Sequence, residues 1–244
     1  MRQVRAKNSS TYVWGFIQLN RSRMMIFATL FIMATMLLAI NIKPYASFGL
    51  VMIPLSYVLG WYAYKSYVVW SSGPKGEEMV LESLKELGDD YVLLKNVVIP
   101  PNSGDTDYIV VGPTGIFVIE TKNVGGVVVC NGDKWSRYKV GRYGSKYALE
   151  IGNPSRQAKR SAKALKDFIL KNKRGIFGSR APHIWVYSIL TFTNRNVSLN
   201  LTNPTIDVLP VGEINGFILR QKDIRLAKKV VDNIADAIAG HSTR

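Results

Sequence analysis

Cysteine and histidine are scarce in this chain of 244 residues, which has one cysteine, Cys130, and two histidines. A single cysteine cannot form a disulfide within the chain. One cysteine and two histidines are also too few ligands for a zinc site of the usual composition. The sequence also lacks the Walker A pattern of P-loop nucleotidases and the H-E-x-x-H motif of zinc proteases. Cys130 lies in an apolar run, so we expect a buried, inert thiol. Any catalysis must therefore use carboxylates, lysine and hydroxyls.

Acidic residues are absent before Glu77, whereas eight of the 32 Lys and Arg residues lie there. Residues 24–42 and 44–64 carry no charge, and each stretch has the roughly 20 residues that a transmembrane helix needs. A signal peptide has a shorter apolar region, so we predict a hairpin of two membrane helices with Lys43 in the connection. Basic residues flank the outer ends, and the positive-inside rule then predicts a multi-pass protein of the cell membrane with both termini cytoplasmic.

These patterns predict five segments. They are a basic cytoplasmic segment over 1–23, two membrane helices within 24–64, a juxtamembrane linker over 65–75, a folded cytoplasmic domain over 76–220, and a C-terminal helix in 221–244 that packs on or extends the domain.

Helical and strand patterns alternate from residue 76 onward. The predicted helices cover 76–88, 153–172 and 222–240, and the predicted strands cover 91–99, 106–112, 115–121, 126–130, 183–192 and 206–210. Asn153 followed by Pro154 is typical of a helix start. The pattern predicts an α/β or α+β domain with a mixed sheet.

The strands over 106–112 and 115–121 are joined by the tight turn GPTG. If Gly112 faces Gly115, then Asp107 faces Glu120 across the pair, with Lys122 on the same face. Two facing carboxylates repel unless a positive group lies between them. A hard divalent cation held by Asp107 and Glu120 would remove that repulsion.

A solvated ionic ladder is the alternative interpretation of these residues. Asp105, Asp107, Glu120 and Lys122 could form ion pairs where a strand leaves the core, and a bulge in either strand would cancel the facing arrangement.

Four stretches, in this order and spacing, resemble one known family. GEEMVLESL, NSGDTDYIVVGPTGIFVIETKNVGG followed by Trp135, NPSRQ, and WVYSILTFTN are similar to the NERD (nuclease-related) domain, over about residues 76–195. That family is assigned to the PD-(D/E)XK nuclease superfamily. The resemblance implies a restriction-endonuclease-like mixed sheet flanked by helices, preceded here by the predicted hairpin.

The resemblance also implies the roles of individual residues. It makes Asp107 and Glu120 catalytic residues and ligands of Mg²⁺ or Mn²⁺, and Lys122 the catalytic lysine. It also makes Glu77 a further catalytic residue that completes the metal site, and Gln157 a catalytic residue that faces the site. The implied reaction is phosphodiester hydrolysis. Glu77 could instead complement a helix N-terminus, and Gln157 could be a core-edge amide.

Positive charge is concentrated between Lys134 and Arg180, a stretch that contains 14 Lys and Arg residues and only two acidic residues. The predicted helix over 153–172 contributes candidate phosphate contacts: Arg156, Lys159, Arg160, Lys163 and Lys166. Such a helix can bind nucleic acid, lie on an anionic lipid leaflet or simply be solvated.

Three functions remain open from the sequence. The preferred one is a membrane-anchored, metal-dependent nuclease whose partners are nucleic acid, with DNA expected, the lipid bilayer and, as an option, a second copy in a homodimer. The others are a nucleic-acid-binding module without activity and a structural protein of the membrane surface.

Overall fold

The computed structural model describes residues 1–5, 10–40, 43–100, 104–178 and 182–242. It divides into two compact units, one of Ser10–Pro74 and the other of Met1–Ser9 with Lys75–Arg244.

Within the described residues, two helices are long and apolar enough to cross a membrane. Helix α1 spans Ser10–Ile40 and helix α2 spans Tyr45–Leu84. Apolar side chains on both are largely exposed, for example Met36 at 60% and Val51 at 65%. Their length, composition and exposure are compatible with the predicted hairpin.

Helix α2 continues further than the sequence indicates. Residues 65–75, which are predicted as a juxtamembrane linker, lie within the helix, and the helix ends at Leu84 rather than near Gly88. The two compact units nevertheless divide at Pro74. Proline lacks the N–H that would bond to the carbonyl four residues earlier, so the helix is weakened at the division.

The described residues after α2, together with the N-terminus, form ten strands, four further α-helices and a short 3₁₀ helix over Val211–Glu213. The strands are β1 (Arg2–Arg5), β2 (Val92–Val98), β3 (Asp105–Gly112), β4 (Gly115–Lys122), β5 (Gly126–Asn131), β6 (Lys134–Val140), β7 (Lys146–Leu149), β8 (Val186–Phe192), β9 (Val197–Thr202) and β10 (Asp207–Val208). The helices are α3 (Pro154–Lys171), α4 (Lys173–Phe177), α5 (Ile214–Arg220) and α6 (Lys228–Ser242).

The main sheet is mixed and has the strand order β1-β2-β3-β4-β8-β10. Strands β2, β3 and β4 are antiparallel neighbours, whereas β4, β8 and β10 run parallel. Side chains alternate between the two faces, so each central strand is buried on both sides. Along β4, Ile116 and Val118 pack with α3 and α6, while Phe117 and Ile119 pack with the end of α2 and with α5. The prediction of a mixed α/β sheet flanked by helices is confirmed.

A second sheet, in the order β7-β6-β5-β9, continues from the ends of β4 and β8. Of its strands, only β5 was predicted. Strands β6, β7 and β9 have many exposed positions and lack the apolar runs on which strand prediction depends.

Several boundaries differ from the prediction. The expected helix over 222–240 begins only at Lys228, and α5 and β1 were not predicted. Ile224 and Leu226 are both buried with an exposed residue between them, which is the period of extended chain, and the Leu226 N–H donates to the Pro113 carbonyl. Strand β8 also starts at Val186, three residues later than predicted.

Gly112 provides a test of the packing at the β3–β4 turn. A Cβ at this position would lie 2.1 Å from Cδ1 of the buried Tyr91 ring. We expect Gly112→Ala to lower the free energy of unfolding by about 1–3 kcal/mol, because a packed ring has to move. The measurement is the thermal unfolding midpoint of the full-length protein in detergent. Gly212→Ala is the control, since its Cβ would meet nothing within 4 Å, and equal effects would contradict the packing argument.

Candidate functional site

The β3–β4 pair brings three charged residues to one end of the main sheet. Gly112 pairs with Gly115 as predicted, and the register continues to Tyr108 opposite Ile119. Ile109 on β3 and Val118 on β4 face α3. By alternation, Asp107, Glu120 and Lys122 also lie on the α3 face.

At Asp107, the pairing of β3 with both neighbouring strands, β4 and β2, is interrupted. The last β3–β4 pair is Tyr108 with Ile119, one pair short of Asp107 and Glu120. On the other side, pairing with β2 skips from Lys95 to Val97, because Asn96 has a φ of 56°. The Thr121 N–H donates instead to Oδ2 of Asp107 at 2.7 Å. The carboxylate is thereby fastened to the backbone of β4.

Lys122 is held by two oxygen atoms. Its Nζ donates to Glu120 Oε1 at 2.8 Å and to Gln157 Oε1, on α3, at 2.9 Å. The ammonium group is therefore fixed between a carboxylate and an amide, with its side chain only partly exposed.

The first turn of α3 positions Gln157. Asn153 caps the helix by accepting from the Arg156 N–H at 2.8 Å, and its own amide donates to the Asp133 carbonyl. Trp135 on β6 donates to Oγ of Ser155 at 2.7 Å. The helix cap was predicted from the sequence, but the two contacts with the second sheet were not.

Glu120 is an acid buried with half of its hydrogen-bonding capacity unused. It is 1% exposed, and its Oε2 has no hydrogen-bond partner in the described part of the chain. Burial raises the pKa of the Glu120 carboxyl, against the opposing charge and hydrogen bond of Lys122. Burial also raises the pKa of Asp107 well above its usual range, and the charge of Glu120 raises it further. Both acids are thus destabilised when ionised.

Glu77 is engaged elsewhere. Its carboxylate pairs with Lys95 at 3.0 Å, and its backbone carbonyl accepts from the Tyr108 hydroxyl at 2.5 Å. Tyr108 packs with the end of α2, on the face away from α3. Glu77 is near enough for its charge to raise the pKa of Asp107. The pairing with Lys95 gave no signal in the sequence.

Helix α3 divides its basic residues between two flanks. A helix turns about 100° per residue, so Lys159 and Lys166 project roughly opposite to Gln157, whereas Arg160 projects near it. The contacts agree with this geometry. Lys159 pairs with Asp133 at 2.8 Å, and Lys166 lies 5.6 Å from the ring centroid of Trp185.

The remaining basic residues of α3 point to solvent. Arg156, Arg160 and Lys163 are all exposed, and Lys163 pairs with Asp167 at 2.6 Å. The charge of Arg160 lowers the pKa of Glu120, which places it electrostatically close to the site.

A family model described as the nuclease-related domain, NERD, matches residues 72–193, half of the chain. The chain belongs to the NERD family. The match includes every residue discussed at the end of the β3–β4 pair and the whole of α3, so the NERD domain contains the candidate site.

Two other similarities are weaker. An uncharacterized protein of Bacillus anthracis is 34% identical over 119 residues, which are 47% of this chain and 52% of the relative. The chain therefore spans about half the length of that curated relative. A structure of Pyrococcus furiosus SfsA in complex with Ca²⁺ aligns with 68% of this chain and 53% of its own, at 15% identity and a TM-score of 0.23. That score is too low to support an argument about fold.

The donor set of the NERD domain fits a divalent cation in part. Asp107 and Glu120 supply hard oxygen donors, and the unpartnered Oε2 of Glu120 is the kind of atom that a cation would satisfy. Among the described residues, however, no three acidic, histidine or cysteine groups converge as a metal cluster. Two carboxylates are thus the protein ligands that the geometry offers, and Glu77 would join only by leaving Lys95.

The raised pKa of Asp107 predicts a pH-dependent cost of folding. An acid whose pKa is raised in the folded state destabilises it increasingly as pH rises above the unfolded value of 3.8. We expect Asp107→Asn, in EDTA at neutral pH, to stabilise the full-length protein by on the order of 1 kcal/mol. At this size the midpoint would rise by about 2–4 °C.

The difference between wild type and Asp107→Asn should shrink as the pH is lowered toward 4. Thermal unfolding at several pH values in detergent measures it. A variant less stable than wild type at neutral pH would show that the carboxylate stabilises the fold, contrary to this reasoning.

Proposed function

We propose that the chain is a membrane-anchored, divalent-metal-dependent nuclease that hydrolyses phosphodiester bonds at the cytoplasmic face. The observation that carries the proposal is the group formed by Asp107, Glu120, Lys122 and Gln157. A buried acid with an unpartnered oxygen beside a fixed ammonium group weakens the fold, and such groups are typical of functional sites.

Asp107 and Glu120 would hold Mg²⁺ or Mn²⁺. When bound, the cation would neutralise the two acids and polarise the scissile phosphate. The Thr121 N–H keeps the Asp107 carboxylate in place for this role.

Lys122 would stabilise negative charge that develops on the phosphate during hydrolysis. Its Nζ uses two of its three donors on Glu120 and Gln157, which leaves one for the substrate. Gln157 acts through Lys122: its amide oxygen accepts a hydrogen bond and keeps the ammonium group from turning away from the site. We therefore assign Gln157 as a positioning residue.

Arg160 would contact phosphates next to the scissile bond, because it projects near Gln157 on α3, and the exposed Arg156 would contact phosphates farther along the backbone. Lys159, Lys163 and Lys166 would contact nucleic acid only where it passes over the helix, since each already pairs with a neighbouring side chain. DNA is the substrate we expect, and a homodimer would be compatible with the scheme.

Cleavage of linear and circular DNA by the full-length protein in detergent tests this proposal. We expect cleavage with Mg²⁺ or Mn²⁺, none in EDTA, and a loss of roughly 100-fold or more in Asp107→Ala and Lys122→Ala. Lys85→Ala is the matched control, because Lys85 also pairs with an acid, Glu82 at 2.5 Å, but is outside the site. Unchanged cleavage in Lys122→Ala would refute its assignment.

Binding without cleavage would favour the second candidate function. Salt-sensitive association with DNA, with no cleavage under any metal condition, would indicate a nucleic-acid-binding module that has the NERD fold.

The membrane anchor would be the hairpin of α1 and α2. Basic residues flank its outer ends, and no acid occurs before Glu77, so the positive-inside rule favours cytoplasmic termini and a cytoplasmic NERD domain.

This topology predicts which residues can be labelled from outside the cell. In spheroplasts of the expression host, a membrane-impermeant maleimide should label Lys43→Cys in the connection of the hairpin. It should label Tyr143→Cys only after lysis. Cys130 stays in place because its thiol is buried. The reverse labelling pattern would indicate the opposite topology. Labelling of both variants before lysis would argue against a membrane hairpin.

A further inference from the structure

Strands β6 and β7 form a hairpin of residues 134–149 with a strongly one-sided charge. It carries five basic residues and no acid: Lys134, Arg137, Lys139, Arg142 and Lys146. Apart from Arg137, all of them are exposed. The hairpin therefore presents a positive surface that no acid of its own offsets, in contrast with the paired lysines of α3.

The tip of this hairpin displays an aromatic ring in solvent. Tyr143 is 92% exposed, and Val140 and Tyr147 beside the turn are 55% and 48% exposed. The turn itself is ordered by hydrogen bonds, from the Gly141 N–H to Ser145 at 2.8 Å and from the Gly144 N–H to Gly141 at 3.0 Å. A formed turn that holds a large ring in water provides a contact surface.

The base of the hairpin is fastened to the loop after β4 and to the first turn of α3. Arg137 donates to the Gly125 carbonyl at 2.8 Å, three residues beyond Lys122. Trp135 bonds to Ser155 in the first turn of α3, on the flank of the helix that carries Lys159. Arg137 and Lys139 alternate onto the same face as Trp135, which packs with Phe192 and toward α3. The hairpin thus extends from the border of the site.

We propose that the β6–β7 hairpin is an arm that binds a nucleic-acid strand as it leaves the candidate site, with Lys139 and Arg142 on phosphates and Tyr143 stacked on an unpaired base. This inference rests on the proposed function. Positive charge interleaved with an exposed ring suits single-stranded nucleic acid, because a groove of basic residues follows the backbone and the ring accepts any base. An anionic lipid surface also attracts basic residues. The attachment of the hairpin beside the segments that carry Lys122 and Gln157 favours nucleic acid as the partner of the hairpin.

Fluorescence anisotropy of a labelled single-stranded oligonucleotide, with full-length protein in detergent and EDTA, measures the contact. We expect the double variant Lys139→Gln with Arg142→Gln to weaken binding about tenfold and to reduce the salt dependence by about 1.4 in log–log slope, the value for two lost phosphate contacts. Tyr143→Ala should weaken binding about tenfold, and Tyr143→Phe should restore it.

The matched control is Arg225→Gln with Lys229→Gln. It removes the same charge from two exposed positions, one in the extended segment before α6 and one in the first turn of α6, which packs against β2 and α4 away from the second sheet. Binding should stay within about twofold of wild type. Equal loss in both double variants, or none in the hairpin variants, would overturn the proposal. If wild type binds no oligonucleotide, this inference fails, whereas the proposed function fails only if DNA is not cleaved in the metal assay, so the two failures are distinguishable.

A fluorescent dye at the hairpin turn distinguishes contact with nucleic acid from contact with lipid. Ser145→Cys can carry an environment-sensitive fluorophore on protein held in lipid nanodiscs. Its emission should shift when the oligonucleotide is added and should be the same in discs of phosphatidylcholine with and without phosphatidylserine. A shift that depends only on phosphatidylserine would assign the hairpin to the membrane surface and overturn the inference.

Discussion

The ammonium group of Lys122 is the contact on which the candidate site depends. It gives the buried carboxylate of Glu120 a positive partner at 2.8 Å and joins β4 to α3 through Gln157 at 2.9 Å. Without it, Glu120 would be an ionised acid at 1% exposure, a state that folded proteins avoid by protonation or rearrangement. One side chain therefore links the end of the main sheet to the first turn of α3 by hydrogen bonds.

The negative charges of the two buried acids in the site are only partly offset by the protein, which suits the binding of a positively charged ligand. One ammonium group serves two acids, Oε2 of Glu120 has no partner in the described residues, and the pKa values of both acids are raised by burial. A protein selected for stability alone would replace these groups by apolar ones. Keeping them is reasonable where a ligand of opposite charge is to be bound.

The second sheet explains how the surroundings of the site are organised. It continues from the ends of β4 and β8, and its hydrogen bonds fasten the loop after Lys122, at Gly125, and the start of α3, at Ser155. The same sheet carries the exposed basic hairpin. Helix α3 carries Arg160 nearer to Gln157 and carries Lys159 and Lys166 on the other flank, so the basic residues of α3 do not all face the site.

Much of this arrangement follows from local pattern. The apolar runs of β2, β3, β4 and β8, the cap at Asn153 and the turn between Gly112 and Gly115 are short-range features, and the sequence alone determined them together with the mixed α/β class. That the turn also predicted the register as far as Tyr108 opposite Ile119 reflects the two-residue period of strands. Only the tertiary structure decided the second sheet, the interruption at Asn96, the pairing of Glu77 with Lys95 and the flank to which each basic residue of α3 belongs. These depend on contacts between residues distant in the chain, where burial and ion pairing are settled by packing and leave no periodic signal in the sequence.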